Sequence, residues 1–184
     1  LIAFGVLSVP AGMGLIRLET EHRDMMLREG YARLEAVRSR FLMFEMMGSA
    51  LAKTVASDPS LFAALADGAF FPASADQASF SASADRAVPL DLQLRILNRR
   101  MGSDLLILLD PEGNVISTSE PTLMGMNFAF RSYFRDAIEG RSGLLYAKGS
   151  VTTAEGAFFS RPLPDARGNI IAVAVVKMNL LPIF

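Results

Sequence analysis

Between Leu18 and Ser57 the chain carries no proline, and its only glycines there are Gly30 and Gly48. Apolar residues fall at Leu27, Leu34, Val37, Phe41, Phe44, Leu51 and Val55, with Gly48 in the one gap. Steps of three and four put these positions on a single seam of an α-helix. The spacing predicts one helix of roughly 35–40 residues, about 55 Å long at 1.5 Å per residue. A rod of that length cannot bury itself, so it needs either a second copy or a domain to lie on. Met43, Met46 and Met47 widen the apolar stripe beyond a strict seam. The expectation is that the first half faces a second subunit and the second half packs on its own domain.

The segment before the rod has a different character. Leu1–Ile16 contains no charged residue, and Arg17, Glu19, Glu21, His22, Arg23 and Asp24 follow at once. That run is a little short of the ~20 residues that span a bilayer. Residues 1–17 are expected to be a truncated transmembrane segment, in which Pro10 is tolerated. A signal-type apolar region and a buried helix are the other two readings.

After the rod, Asp58-Pro59 stops one helix and starts another, Asp58 as cap and Pro59 at the first helical position. Ser60–Ala66 is expected as a short helix closed by Gly68, and 69–88, rich in Ala, Ser and Asp, as a loop or weak helical connector. Leu90, Leu94, Leu97 and Met101 form a helical stripe ended by Gly102. The pattern then turns to strands: Leu105–Leu109, a turn at Asp110-Pro-Glu-Gly-Asn114, and Val115–Thr118. A loop follows to Asn127, a helix is expected over Phe130–Ile138, and three strands over 144–148, 157–162 and 169–178. Two strands, a helix and three strands predict an α+β fold, a five-stranded antiparallel sheet flanked by helices.

Composition removes whole classes of chemistry. The chain of 184 residues has no cysteine, one histidine and a net charge of −1. Thiolate metal sites, disulfides and cysteine nucleophiles are therefore absent. His22 sits in a polar helical run and is expected to be solvated rather than catalytic. No basic patch points to nucleic acid, and no catalytic, metal or cofactor site is expected.

The blocks Asp110-Pro-Glu-Gly-Asn-Val-Ile-Ser-Thr-Ser119, Gly125-Met-Asn-Phe-Ala-Phe-Arg-Ser-Tyr-Phe134, Gly149-Ser-Val-Thr152, Gly156-Ala-Phe-Phe-Ser160 and Ala172-Val-Ala-Val-Val-Lys-Met-Asn-Leu180 resemble the membrane-distal sensor domain of the double Cache (PDC, PAS-like) class. Within it the chain is similar to DctB-type C4-dicarboxylate sensor histidine kinases. The resemblance implies a truncated membrane segment over 1–17, a signalling and dimerisation helix over 18–57 and a PAS-like sensor domain over 58–180. Residues 181–184 would then begin a linker to a membrane-proximal part. It also implies a periplasmic domain of an inner-membrane kinase, homodimeric through the long helix and itself not an enzyme.

The family's pocket positions fall on Thr122, Phe128, Arg131, Ser150 and Lys177. Phe128 stands where the family often has tyrosine, which removes a hydroxyl donor. Ser119-Glu120-Pro121 replaces a Ser-Asn-Trp block, which adds a carboxylate. The residue chemistry agrees with an anion site. Arg131 offers a planar fork to a carboxylate and Lys177 a compact charge at a second pole. Ser150, Thr152 and Thr122 offer hydroxyls, and Tyr133 and Tyr146 a ring wall and phenols. Arg135 and Arg161 are expected at the surface. The same domain in a chemoreceptor or a cyclic-dinucleotide enzyme is the alternative, as is a dimerisation module without a ligand.

Overall fold

A computed structural model describes residues 11–66, 89–149 and 154–180, the side chains of 11–21 apart. The expected connector over 69–88, Gly68, Ser150, Thr152 and residues 181–184 lie outside the described residues, as do residues 1–10. Among the described residues no helix is long and apolar enough to cross a membrane.

The proline-free run forms helix α1, Ala11–Ala56, 46 residues in all, or about 69 Å at 1.5 Å per residue. The chain divides into two units, Leu1–Leu42 and Met43–Phe184. In the first, the described side chains are those of a polar-and-apolar helix surface. Leu27, Tyr31, Leu34 and Val37 are exposed, His22 is exposed as expected, and Glu29–Arg33 and Glu35–Arg38 pair along the helix.

In the second unit α1 continues and its seam closes on the sheet. Phe44, Ala52 and Val55 are buried, as is Gly48. Helix α2, Pro59–Ala66, begins as expected, with Asp58 Oδ1 accepting from Ser60 N at 2.9 Å and from Ser60 Oγ at 2.6 Å. Helix α3, Leu90–Met101, ends at Gly102 with φ 65°, the left-handed position that glycine fills without a Cβ penalty. Leu94 of its stripe is fully buried.

Five strands follow: β1 Leu105–Leu109, β2 Val115–Thr118, β3 Gly143–Lys148, β4 Glu155–Pro164 and β5 Ile170–Asn179. Their order is β2-β1-β5-β4-β3, and every pairing is antiparallel. This is the α+β sheet expected from the sequence. The hairpins β1–β2 and β4–β5 use one turn sequence, Asp-x-x-Gly-Asn, twice. Asp110 Oδ1 accepts from Glu112 N and Asn114 N, and Asp165 Oδ1 from Arg167 N and Asn169 N. Each turn needs φ near +90° at its glycine, Gly113 and Gly168.

Strand alternation sorts the core into two faces. Ile107, Leu109, Val173, Val175 and Phe158 face a layer made by Leu123, Phe128, Tyr133, Phe134 and Ala137. Phe159, next along β4, faces the other way and meets Phe44 of α1, ring centroids 6.0 Å apart. Helix α4, Ser132–Ile138, starts two residues later than the sequence suggested. Arg131 is extended at φ −75°, ψ 138°, because the segment before it is tied to the β1–β2 turn. Phe128 N donates to Gly113 O at 2.7 Å, and Asn127 Nδ2 donates to Glu112 O and Asn114 Oδ1, both at 2.9 Å.

Candidate functional site

Register puts Lys177 on the α4 side of the sheet. It follows Val173 and Val175 at two-residue steps on β5, and pairs with Leu105 of β1 and Phe158 of β4. Its relative exposure is only 2%, although a buried ammonium is costly unless it is well partnered. Its Nζ donates to Ala154 O at 3.3 Å and lies 5.8 Å from the Phe158 ring centroid, within cation–π range. Gly156 makes the space. A Cβ there would stand 2.7 Å from Lys177 Cε and 2.8 Å from Met178 O.

Tyr133, in the first turn of α4, is also buried. Its ring stacks on Phe158 at 5.7 Å with an interplanar angle of 11°. Ser160 Oγ donates to Tyr133 O at 2.7 Å and so fastens the start of α4 to β4. Burial pushes the Tyr133 phenol pKa far up, against a smaller opposing pull from the Arg131 charge, so the group stays a neutral donor. Arg131, half-buried, lies with Cζ 5.1 Å from the Phe130 ring centroid.

These groups converge on a cavity of about 60 Å³. At ~10–15 Å³ for each water-sized site this is room for a few waters, or for a small organic acid. Leu105, Ile107, Leu123, Phe128 and Phe158 make its apolar walls, and Gly149 lies at its edge. Arg131, Lys177 and Tyr133 are its donors. Two carboxylates line it as well, Asp104 and Glu120. Glu120 Oε1 accepts from Thr122 Oγ1 at 2.9 Å. Asp104 directly precedes β1 and donates its N–H to Lys177 O at 3.0 Å. Although Asp104 is exposed as a residue, partial burial pushes its carboxyl pKa up, and the Lys177 charge pulls against that shift. Among the described residues no cluster of His, Asp and Glu could hold a metal ion.

Of the six candidate residues that are described, the structure brings four to this cavity: Phe128, Arg131, Tyr133 and Lys177. Arg131 reaches it from the loop before α4 rather than from the helix. Thr122 does not line it; the residue is exposed and its hydroxyl is turned to Glu120. Tyr146 is on the opposite face of the sheet. It pairs with Ala157 rather than with Phe158, and its hydroxyl donates to Glu45 Oε1 at 2.7 Å. Arg161, expected at the surface, is half-buried and donates from Nη2 to Ser49 Oγ at 2.8 Å. Asp104 was not legible as a site residue, because only the β1–β5 register shows that it adjoins Lys177.

No family model matches the chain. Over 88 residues it is 33% identical to the C4-dicarboxylate transport sensor protein DctB of Pseudomonas aeruginosa, an alignment covering 46% of this chain and 14% of that protein. It superposes on the sensor domain of the histidine kinase DctB of V. cholerae with a TM-score of 0.71 at 25% identity, over 88% of this chain and 59% of that one. The fold is that of a DctB-like periplasmic sensor domain. The E. coli DcuS sensor domain shares it at a TM-score of 0.55 and 15% identity, covering 74% of this chain and 88% of that one. So does the ligand-binding domain of the Campylobacter jejuni chemoreceptor Tlp3, in complex with 4-methylisoleucine, at 0.60 and 14%, covering 87% and 61%. The DctB-like chain thus spans about a seventh of the curated relative and under two thirds of the V. cholerae domain. Its neighbours are sensor domains, several of them with small ligands bound.

Proposed function

We propose that this domain senses a small carboxylate, foremost a C4-dicarboxylate, outside the cytoplasm as part of a transmembrane two-component sensor histidine kinase. The observation that carries the reading is the pair of cations on one small cavity, Lys177 from β5 and Arg131 from the loop before α4. Two carboxylates need two cationic poles, and these come from different elements. Arg131 suits two parallel hydrogen bonds to one carboxylate. Lys177 supplies a point charge to the other, and the neutral Tyr133 phenol supplies a further donor. Ser150 and Thr152, which follow Gly149 in the sequence, are the further hydroxyl donors of this reading. The likeness to the two DctB proteins supports both the ligand class and the kinase context.

Signalling would run through α1. Phe158 and Phe159 are neighbours on β4, one against the cavity and one against Phe44 of α1. A ligand that shifts β4 is therefore felt on the helix side, and binding would bias an existing equilibrium between two arrangements. The exposed seam of Leu27, Leu34 and Val37 would join a second copy, and residues 1–17 would lie in the inner membrane.

A thermal-shift panel of C4-dicarboxylates, monocarboxylates and amino acids tests the reading. A ligand at 100 times its Kd stabilises by about 2.7 kcal/mol, which is easily seen. Stabilisation by at least one small carboxylate, absent in Arg131→Ala, is the expected result. No response to any acid would favour a dimerisation module with an empty pocket.

A further inference from the structure

Among the described residues, the charged side chains lining the cavity are two cations, Arg131 and Lys177, and two carboxylates, Asp104 and Glu120. Their formal charges cancel. A simple dicarboxylate would satisfy both cations but would bring two more negative charges against Asp104 and Glu120. In a partly dry site, like charges that close disfavour entry unless something offsets them. The two acids are not equivalent. Glu120 is engaged by Thr122, which donates from its hydroxyl at 2.9 Å and from its N–H at 3.4 Å to the same oxygen. Asp104 adjoins Lys177 across the β1–β5 ladder, and no side-chain hydrogen bond holds its carboxylate among the described contacts.

We propose that Asp104 selects for an amine on the ligand, so that the preferred compound is a C4-dicarboxylate that also carries a protonated amino group, the chemical class of aspartate. This rests on the small-carboxylate reading above and narrows it. The two carboxylates of the ligand meet Arg131 and Lys177, and its ammonium meets Asp104, with Glu120 on the loop side adding negative potential. The partial desolvation of the Asp104 carboxyl agrees with an acid that gains from a cationic partner.

Calorimetric titration of the full chain with succinate and with L-aspartate separates this proposal from the reading beneath it. The wild type is expected to bind L-aspartate at least tenfold more tightly than succinate. Asp104→Asn should lose at least tenfold for L-aspartate while succinate is unchanged or tighter. Glu120→Gln should shift the same ratio less. If succinate binds as tightly as L-aspartate or more so, the amine-selection proposal is overturned while the carboxylate reading stands. The same holds if the ratio is unchanged in both variants while both remain folded. If neither compound binds, both are overturned.

Discussion

Lys177 occupies a position on an otherwise apolar face of the sheet, paired with Leu105 and Phe158. Its neighbours on the same face of β5 are Val173 and Val175, and it is almost wholly buried. Burying a charge is a poor way to stabilise a domain, so its presence there argues for a ligand. The expected outcome for Lys177→Met is a melting temperature equal to or above that of the wild type, together with loss of any carboxylate response. A methionine variant that unfolds would mean the amine is structural. Asp104 adds a pH signature. Its folded-state pKa is raised by burial, so its contribution to stability is fully present below the ordinary aspartate range. That contribution is lost as pH rises through the folded value. Melting curves of wild type and Asp104→Asn should coincide at the acid end and separate above that window, with the variant the more stable. At this scale the sequence showed cations but not parity. Tyr146 and Lys177 both lie in strand-like runs, yet only the pairing of Tyr146 with Ala157 reveals that it faces away from the cavity.

Among elements, α1 offers an internal comparison. Its two glycines between Leu18 and Ser57 look alike in sequence but have different surroundings. Gly30 has nothing within 4 Å of an added Cβ, whereas at Gly48 that atom would stand only 2.2 Å from Phe159 Cε2 and 2.3 Å from Cζ. Gly30→Ala should stabilise the helix by up to about 1 kcal/mol, the usual difference between the two residues. Gly48→Ala should instead destabilise by roughly 1–3 kcal/mol, as overpacking does, and Phe159→Leu in the same chain should recover much of that loss. Denaturant titration of the three variants checks the signs. The two Asp-x-x-Gly-Asn turns were likewise present in the sequence, but only the bonds of Asp110 and Asp165 show why they recur. Hydrogen bonds from Asn169, Arg167 and Gly168 hold the Asp165 carboxyl below the usual range. Its support of the β4–β5 turn is therefore present above the unfolded pKa and lost as pH falls through the folded one. Asp165→Ala should lower the melting temperature at neutral pH, and the gap should close in acid. Helix and strand positions were largely legible because three-and-four periodicity gives way after Gly102 to short apolar runs separated by turn residues. The start of α4 was not, because hydrogen bonds tie Asn127 and Phe128 to the distant turn at Gly113 and the chain then turns over Ala129 and Phe130, with Arg131 N donating to Phe128 O at 3.0 Å, before the helix can begin.

For the whole molecule the proposal joins a ligand cavity to a long helix with an exposed apolar seam. Leu34 is 67% exposed, and an exposed row at heptad spacing is what a coiled-coil partner covers. Sedimentation equilibrium should find a dimer, and Leu34→Glu should shift it to monomer without removing carboxylate binding. An unchanged mass in the variant would place any association elsewhere. Fold class could be read from the chain, and Arg131 and Lys177 could be named from it as the cations that the structure brings to one cavity. The charge balance of the cavity could not, since it depends on Asp104, Glu120, Arg131 and Lys177, which three loops and β5 bring together. The central claim is that Arg131 binds a carboxylate in that cavity. Isothermal titration of the protein and of Arg131→Ala with a C4-dicarboxylate at one salt concentration tests it most directly. A charge-assisted, two-bond contact predicts a saturable isotherm for the wild type and at least a tenfold weaker Kd for the variant, about 1.4 kcal/mol, with the apo melting temperature retained. Identical isotherms from the two proteins would contradict it.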